Sequence, residues 1–78
     1  MNRHQIESVV LTVLKTLLKC EVDKDCSRER YPQWDSLKHI EVIFTIEDEL
    51  NIQFSEEMMP ELNSVQQIVD AAEALHAA

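Results

Sequence analysis

The sequence predicts an all-α fold, a four-helix bundle with three longer helices and one short one. Apolar residues recur at spacings of three and four over three separate stretches, and capping residue types open those stretches. Glycine is absent from all 78 residues. Tight two-residue hairpins, Rossmann turns and Gly-rich phosphate loops all depend on its φ > 0 freedom, so they are disfavoured. The whole chain, 1–78, reads as a single domain without repeats or linkers. A chain this short buries only about 60–65% of its unfolded surface, which supports one modest core and no deep enzyme cleft.

The first helix is expected at about 3–18, where Ile6, Val9, Val10, Val13, Leu14, Leu17 and Leu18 draw one apolar stripe. Asn2 is placed to cap it, Gln5 occupies the capping-box position, and Met1 could staple onto Ile6. Residues 19–34 lose the period. Val22 stands alone among Glu21, Asp23, Lys24 and Asp25, and Pro32 turns Tyr31 away from helix. This stretch is read as a long structured loop pinned to the bundle by Tyr31 and Trp34.

The second helix runs from Ser36 to about Leu50, capped by Asp35. Leu37, Ile40, Ile43, Phe44 and Leu50 form its main stripe, Val42 and Ile46 broaden it, and Glu41, Glu47, Asp48 and Glu49 make an acidic face. A short third helix follows, capped by Ser55, with Phe54 available to staple onto Met59; Pro60 keeps it short or irregular. Ser64 and Gln67 form a capping-box pattern for a fourth helix at about 65–75, with Val65, Ile68, Val69, Ala72 and Leu75 on its inner side.

Net charge is −8, from 15 acidic and 7 basic residues. An acidic surface repels phosphate backbones, so nucleic acid is not an expected partner. It suits basic protein surfaces and salt-sensitive encounters, and it also aids solubility. Ile6–Leu18 is interrupted by Glu7, Thr12 and Lys15, so it reads as neither a signal peptide nor a membrane span. The expectation is a cytoplasmic monomer with no membrane partner. Cys20 and Cys26 are too few for a disulfide scaffold and are read as free thiols; zinc lacks ligands around them. Asp23-x-Asp25-x-Ser27 opens like a calcium loop, but Arg28 and Trp34 stand where that loop needs Gly and Glu.

The chemically informative residue is Ser36. Immediately after the cap, it stands beside unpaired backbone N–H groups and the positive end of the helix dipole, where an anion is favoured. As a hydrolase nucleophile it is a poor candidate. No G-x-S-x-G elbow surrounds it, and His39, the histidine nearest on the same helix, has no carboxylate obviously placed to orient it. Covalent modification by a phosphate-bearing group is the better reading; Lys38 in the first helical turn suits a nearby anion and reads equally as an ordinary solvated lysine. Trp34 is read as a packed anchor beside this serine, and Met58 and Met59 as fillers of core and pocket rim.

At this point the residues carry a resemblance. The chain resembles the acyl carrier proteins of the phosphopantetheine-binding family over nearly its whole length. Asp35-Ser36-Leu37 matches at the loop-to-second-helix junction, followed by Leu37, Ile40, Val42, Ile43, Phe44, Ile46 and Leu50. The acidic Glu47-Asp48-Glu49, Ile52-x-Phe54, the short third helix and the Ser64-Val65 opening match as well. The resemblance implies an acyl-carrier-type bundle and covalent attachment of 4′-phosphopantetheine to Ser36, with Asp35 and Leu37 completing the attachment motif. The arm's thiol would carry acyl groups as thioesters, and the protein itself would not be an enzyme. The implied partners are a phosphopantetheinyl transferase and acyl-loading and acyl-processing enzymes with basic patches. Those patches would dock on Leu37, Ile40, Glu41, Phe44, Glu47 and Asp48. Pro32-Gln33-Trp34 replaces the family's usual Leu-Gly-x, Lys38 replaces an acid and Phe44 a methionine. These departures point to a specialised biosynthetic pathway rather than the general fatty-acid synthase. A peptidyl (aminoacyl) carrier shares the modification and differs in cargo. An unmodified acidic helical adaptor would use the same face without the arm.

Overall fold

The computed structural model describes residues 2–77. The expected staple of Met1 onto Ile6 lies outside the described residues. The first helix, α1, spans Arg3–Leu18, the range expected. Asn2 is extended, its side chain accepts from Gln5 N at 2.9 Å, and Gln5 Oε1 accepts from Asn2 N at 3.0 Å. This reciprocal pairing satisfies two backbone donors that the first turn leaves open. The helix ends at Lys19, which takes the left-handed conformation (φ 56°) and returns its N–H to Lys15 O at 2.9 Å.

Residues 19–34 form the expected loop, but it carries one 3-10 turn at Arg28–Arg30 that the sequence pattern does not reveal. Val22, Cys26 and Trp34 bury their side chains in the core, and Tyr31 packs against it. Backbone bonds fix the loop to the far end of the chain. Arg28 N donates to Asn63 O at 2.7 Å, Val65 N donates to Cys26 O at 3.0 Å, and Ser27 and Ser64 form an isolated antiparallel bridge. Asp23 Oδ1 accepts from Asp25 N at 2.9 Å, so the carboxylate that began the calcium-like pattern closes a local turn instead.

The second helix, α2, spans Ser36–Leu50. Asp35 caps it by accepting from Lys38 N at 2.9 Å, and Asn51 ends it in the left-handed conformation (φ 55°). The short third helix does not form as expected. A turn from Ser55 O to Met58 N and a 3-10 turn at Met59–Glu61 take its place. The reason is local. Met58, Glu61 and Leu62 donate to residues three back, and Pro60, inside the turn, has no N–H to give.

The last helix, α3, spans Val65–Ala77, slightly longer than the expected 65–75. Its cap is a variant of the box. Gln67 N donates to Ser64 Oγ at 3.2 Å, but Gln67 Oε1 reaches one residue further back, accepting from Asn63 N at 3.0 Å. The architecture is therefore a small bundle of three α-helices, and no β-strand occurs among the described residues.

α1 packs against both α2 and α3. Ile6, Val10 and Leu14 meet Val42, Ile43 and Ile46 of α2 and Val65, Ile68 and Val69 of α3 in one core. Each such side chain contributes about 1.5–3 kcal/mol on burial. Arg3 ties α1 to α3 through Asp70 at 2.7 Å and Gln66 at 2.8 Å. Cys20 and Cys26 are free thiols. No helix among the described residues is long and apolar enough to cross a membrane.

Candidate functional site

Ser36 is the first residue of α2 and is exposed. Its Oγ accepts from an Arg28 guanidinium nitrogen at 3.2 Å. The same guanidinium donates through Nε to Trp34 O at 3.1 Å and makes a long contact with Asn63 Oδ1 at 3.5 Å. A cation thus stands beside the one hydroxyl singled out from sequence. Arg28 could not be found that way. It lies in a period-less loop, and the fold of that loop, with Arg28 Nε on Trp34 O, brings it beside the start of α2.

His39, three residues after Ser36 on α2, turns its ring into the core and is only 5% exposed. Trp34 Nε1 donates to its Nδ1 at 3.1 Å, and its Nε2 lies 2.8 Å from Met59 O. The indole can only donate, so the imidazole is the tautomer protonated at Nε2, which donates to the carbonyl. Both ring nitrogens are therefore occupied, and His39 has no atom available as a base for Ser36. Its burial was legible, since it precedes Val42 and Ile43 by three and four residues on one face.

The apolar residues of α2 divide between two faces. Val42, Ile43, Ile46 and Leu50 are buried with His39. Leu37, Ile40 and Phe44, expected in the same main stripe as Ile43 and Leu50, instead face outward at 77%, 43% and 59% exposure. Their spacing of three and four makes a continuous outer stripe that begins next to Ser36. Glu41 and Asp48 lie on that same face by the same spacing, and both are exposed.

Two acids of the expected docking set have internal partners. Lys38 Nζ lies 3.1 Å from Glu41 Oε2, so this lysine is accounted for by an ordinary surface pair. Glu47 is half-buried, and its Oε2 accepts from Phe54 N at 2.6 Å, closing the chain reversal after α2. Asp48 forms no ion pair among the described residues.

A second polar cluster lies in the loop. Cys26 Sγ and Tyr31 OH are 2.9 Å apart, and the phenol donates to Glu21 O at 3.2 Å. The bond to Cys26, then burial, then the nearby Cys26, Cys20 and Asp23 as anions, push the Tyr31 phenol from the usual 10.0 up to about 12. This cluster fastens the loop that carries Arg28. Comparison with protein-family models and with curated proteins finds no match to this chain.

Proposed function

We propose that this protein is a carrier of the acyl-carrier type, holding acyl intermediates as thioesters on a 4′-phosphopantetheine arm esterified to Ser36. The observation that carries the reading is an exposed serine at the first position of α2, continuous with an exposed apolar stripe of Leu37, Ile40 and Phe44. Large apolar side chains gathered on one helix face of a small monomer mark a surface that meets other molecules. The serine hydroxyl is open to a transferase, and Asp35 fixes its place by capping the helix. An anion there gains roughly 0.3–1 kcal/mol from the helix dipole, and Arg28 adds a cation at hydrogen-bond distance. The residues present thus fit a phosphodiester at this oxygen.

When bound, the arm supplies the thiol chemistry, and the chain supplies address and shelter. Partner enzymes with basic patches dock along α2. Leu37, Ile40 and Phe44 give apolar contact, and Glu41, Glu47 and Asp48 give charge. Such binding is electrostatically assisted and salt-sensitive, and weak enough for release. The three α-helices are compatible with a carrier-type bundle, although only a 3-10 turn at Met59–Glu61 stands where its short helix is expected. The carrier works as a cytoplasmic monomer in a specialised acyl pathway, served by its own loading and processing enzymes.

The test is incubation with coenzyme A and a panel of phosphopantetheinyl transferases, read by intact mass. One phosphopantetheine is gained by the wild type and none by Ser36→Ala; no gain with any transferase removes the reading. The exposed stripe also favours a second reading, an unmodified acidic adaptor for a basic partner. That reading requires Ser36→Ala to leave partner binding and cellular function unchanged. A peptidyl carrier would accept the same arm and be separated by its loading enzyme.

A further inference from the structure

The cluster around Arg28 has an unusual charge arrangement. Arg28 is half-buried, and its guanidinium makes no ion pair among the described residues. Its hydrogen-bond acceptors are neutral: Trp34 O, Asn63 Oδ1 and Ser36 Oγ. The first of these is a main-chain oxygen of a residue whose ring is 1% exposed, so one edge of the guanidinium is held by the core. A planar cation held in this way is suited to an oxyanion at its remaining edge.

That edge points at Ser36 Oγ. A phosphorus atom on this oxygen would lie one bond beyond it, which brings its unesterified oxygens within reach of Arg28. Past Arg28 the surface opens into a cleft of about 620 Å³, bordered by Glu29, Tyr31, Pro32, Asn63 and Gln67. This size lies within the range of small-molecule sites. Its lining mixes apolar rings with amide side chains. Among the described residues, Gln67 Nε2 donates to nothing, although Gln67 Oε1 is taken up by Asn63 N and Ser64 Oγ.

Resting on the carrier reading above, we infer that Arg28 is the phosphate anchor of the arm and that the cleft between the Arg28–Arg30 turn and the start of α3 is the arm's resting place. The chemistry of the two ends agrees. Negative charge is confined to the root, where Arg28 stands. The remainder of a pantetheine chain is neutral, with amides to pair with Gln67 and a geminal dimethyl group to lie against Tyr31 and Pro32. Glu29 at the cleft border opposes no charge there. Arg28 is accordingly a positioning residue. It directs the arm away from the outer stripe of Leu37, Ile40 and Phe44, leaving that stripe open while the arm is parked.

Protein loaded from coenzyme A and verified by intact mass gives the test. The phosphorus NMR resonance of folded loaded wild type is expected to be displaced from its position in the urea-unfolded protein. Arg28→Gln should lose that displacement and Arg28→Lys retain part of it. In the wild type, cross-peaks should join the geminal methyl protons to the Tyr31 ring. Full loading combined with an undisplaced wild-type resonance, an unaltered Arg28→Gln resonance, or methyl groups without contact to Tyr31 or Pro32 overturns the inference and leaves the carrier reading standing. Failure to load overturns both. If Arg28→Gln does not fold, the wild-type cross-peaks alone decide.

Discussion

Trp34 Nε1 donates to His39 Nδ1 at 3.1 Å inside the bundle, joining the residue two before Ser36 to the buried face of the helix that Ser36 begins. The other side of the imidazole is fastened to Met59 O at 2.8 Å. One ring therefore holds the loop, α2 and the 3-10 turn together. Trp34→Phe keeps most of the apolar volume and strips the donor, leaving Nδ1 unsatisfied in the core. The expected cost is about 1–3 kcal/mol, read as a lower midpoint in urea unfolding.

The Tyr31 phenol gives a pH dependence with a definite sign. Its folded pKa of about 12 lies above the usual 10.0, so folding favours the protonated ring. That stability is fully present below pH 10 and is lost as pH rises towards 12. The chain has one tyrosine, so tyrosinate absorbance reports this group alone. Cys26→Ala removes the largest cause of the shift and should bring the ionisation midpoint back towards 10.0.

Leu37 and Phe44 separate docking from stability. Both point outward, and truncating either to Ala should leave unfolding free energy within about 0.5 kcal/mol of wild type. If the carrier reading holds, turnover of the loaded protein by a partner enzyme should fall several-fold. Among the acids, Asp48→Lys is the cleaner charge reversal, because Glu47 also supports Phe54 N and its loss would disturb the chain reversal. Partner turnover unaffected by Asp48→Lys and by added salt would place docking elsewhere.

Lys19 holds φ 56° at the end of α1 without the freedom that glycine would bring. Lys19→Gly relieves the clash between Cβ and the carbonyl and should raise stability by up to about 1 kcal/mol, seen as a higher urea midpoint. Asn51 holds φ 55°, but asparagine tolerates this region better, so Asn51→Gly should gain less.

Much of this fold was legible because its signals are local. Asn2 with Gln5, and Asp35 ahead of Ser36, place the starts of α1 and α2 where the caps predict them. The misread parts depend on contacts between distant segments. On α2 the apolar period joins Leu37, Ile40 and Phe44 to Ile43 and Leu50 in one main stripe, and hydrophobicity alone does not divide them. The bundle buries Val42, Ile43, Ile46 and Leu50 with His39, whose ring is satisfied by Trp34 and Met59, and leaves Leu37, Ile40 and Phe44 outside. Glu47 read as a surface acid until the turn brought Phe54 N against it. That Ser36 opens α2 was legible from its cap, whereas the Arg28 contact depends on how the preceding loop folds back towards Trp34.

The seam between residues 26–28 and 63–65 is made of main-chain atoms, with Arg28 N on Asn63 O and Val65 N on Cys26 O. Its hydrogen bonds are therefore largely indifferent to which side chains stand at the half-buried positions 27, 28, 63 and 64, whereas Cys26 and Val65 also belong to the core. Mutational drift there can reshape the wall beside Ser36, altering what the neighbouring surface recognises, while the scaffold stays closed. Proline at 28 or 65 is the exception, since it alone deletes the amide hydrogen on which each closure depends.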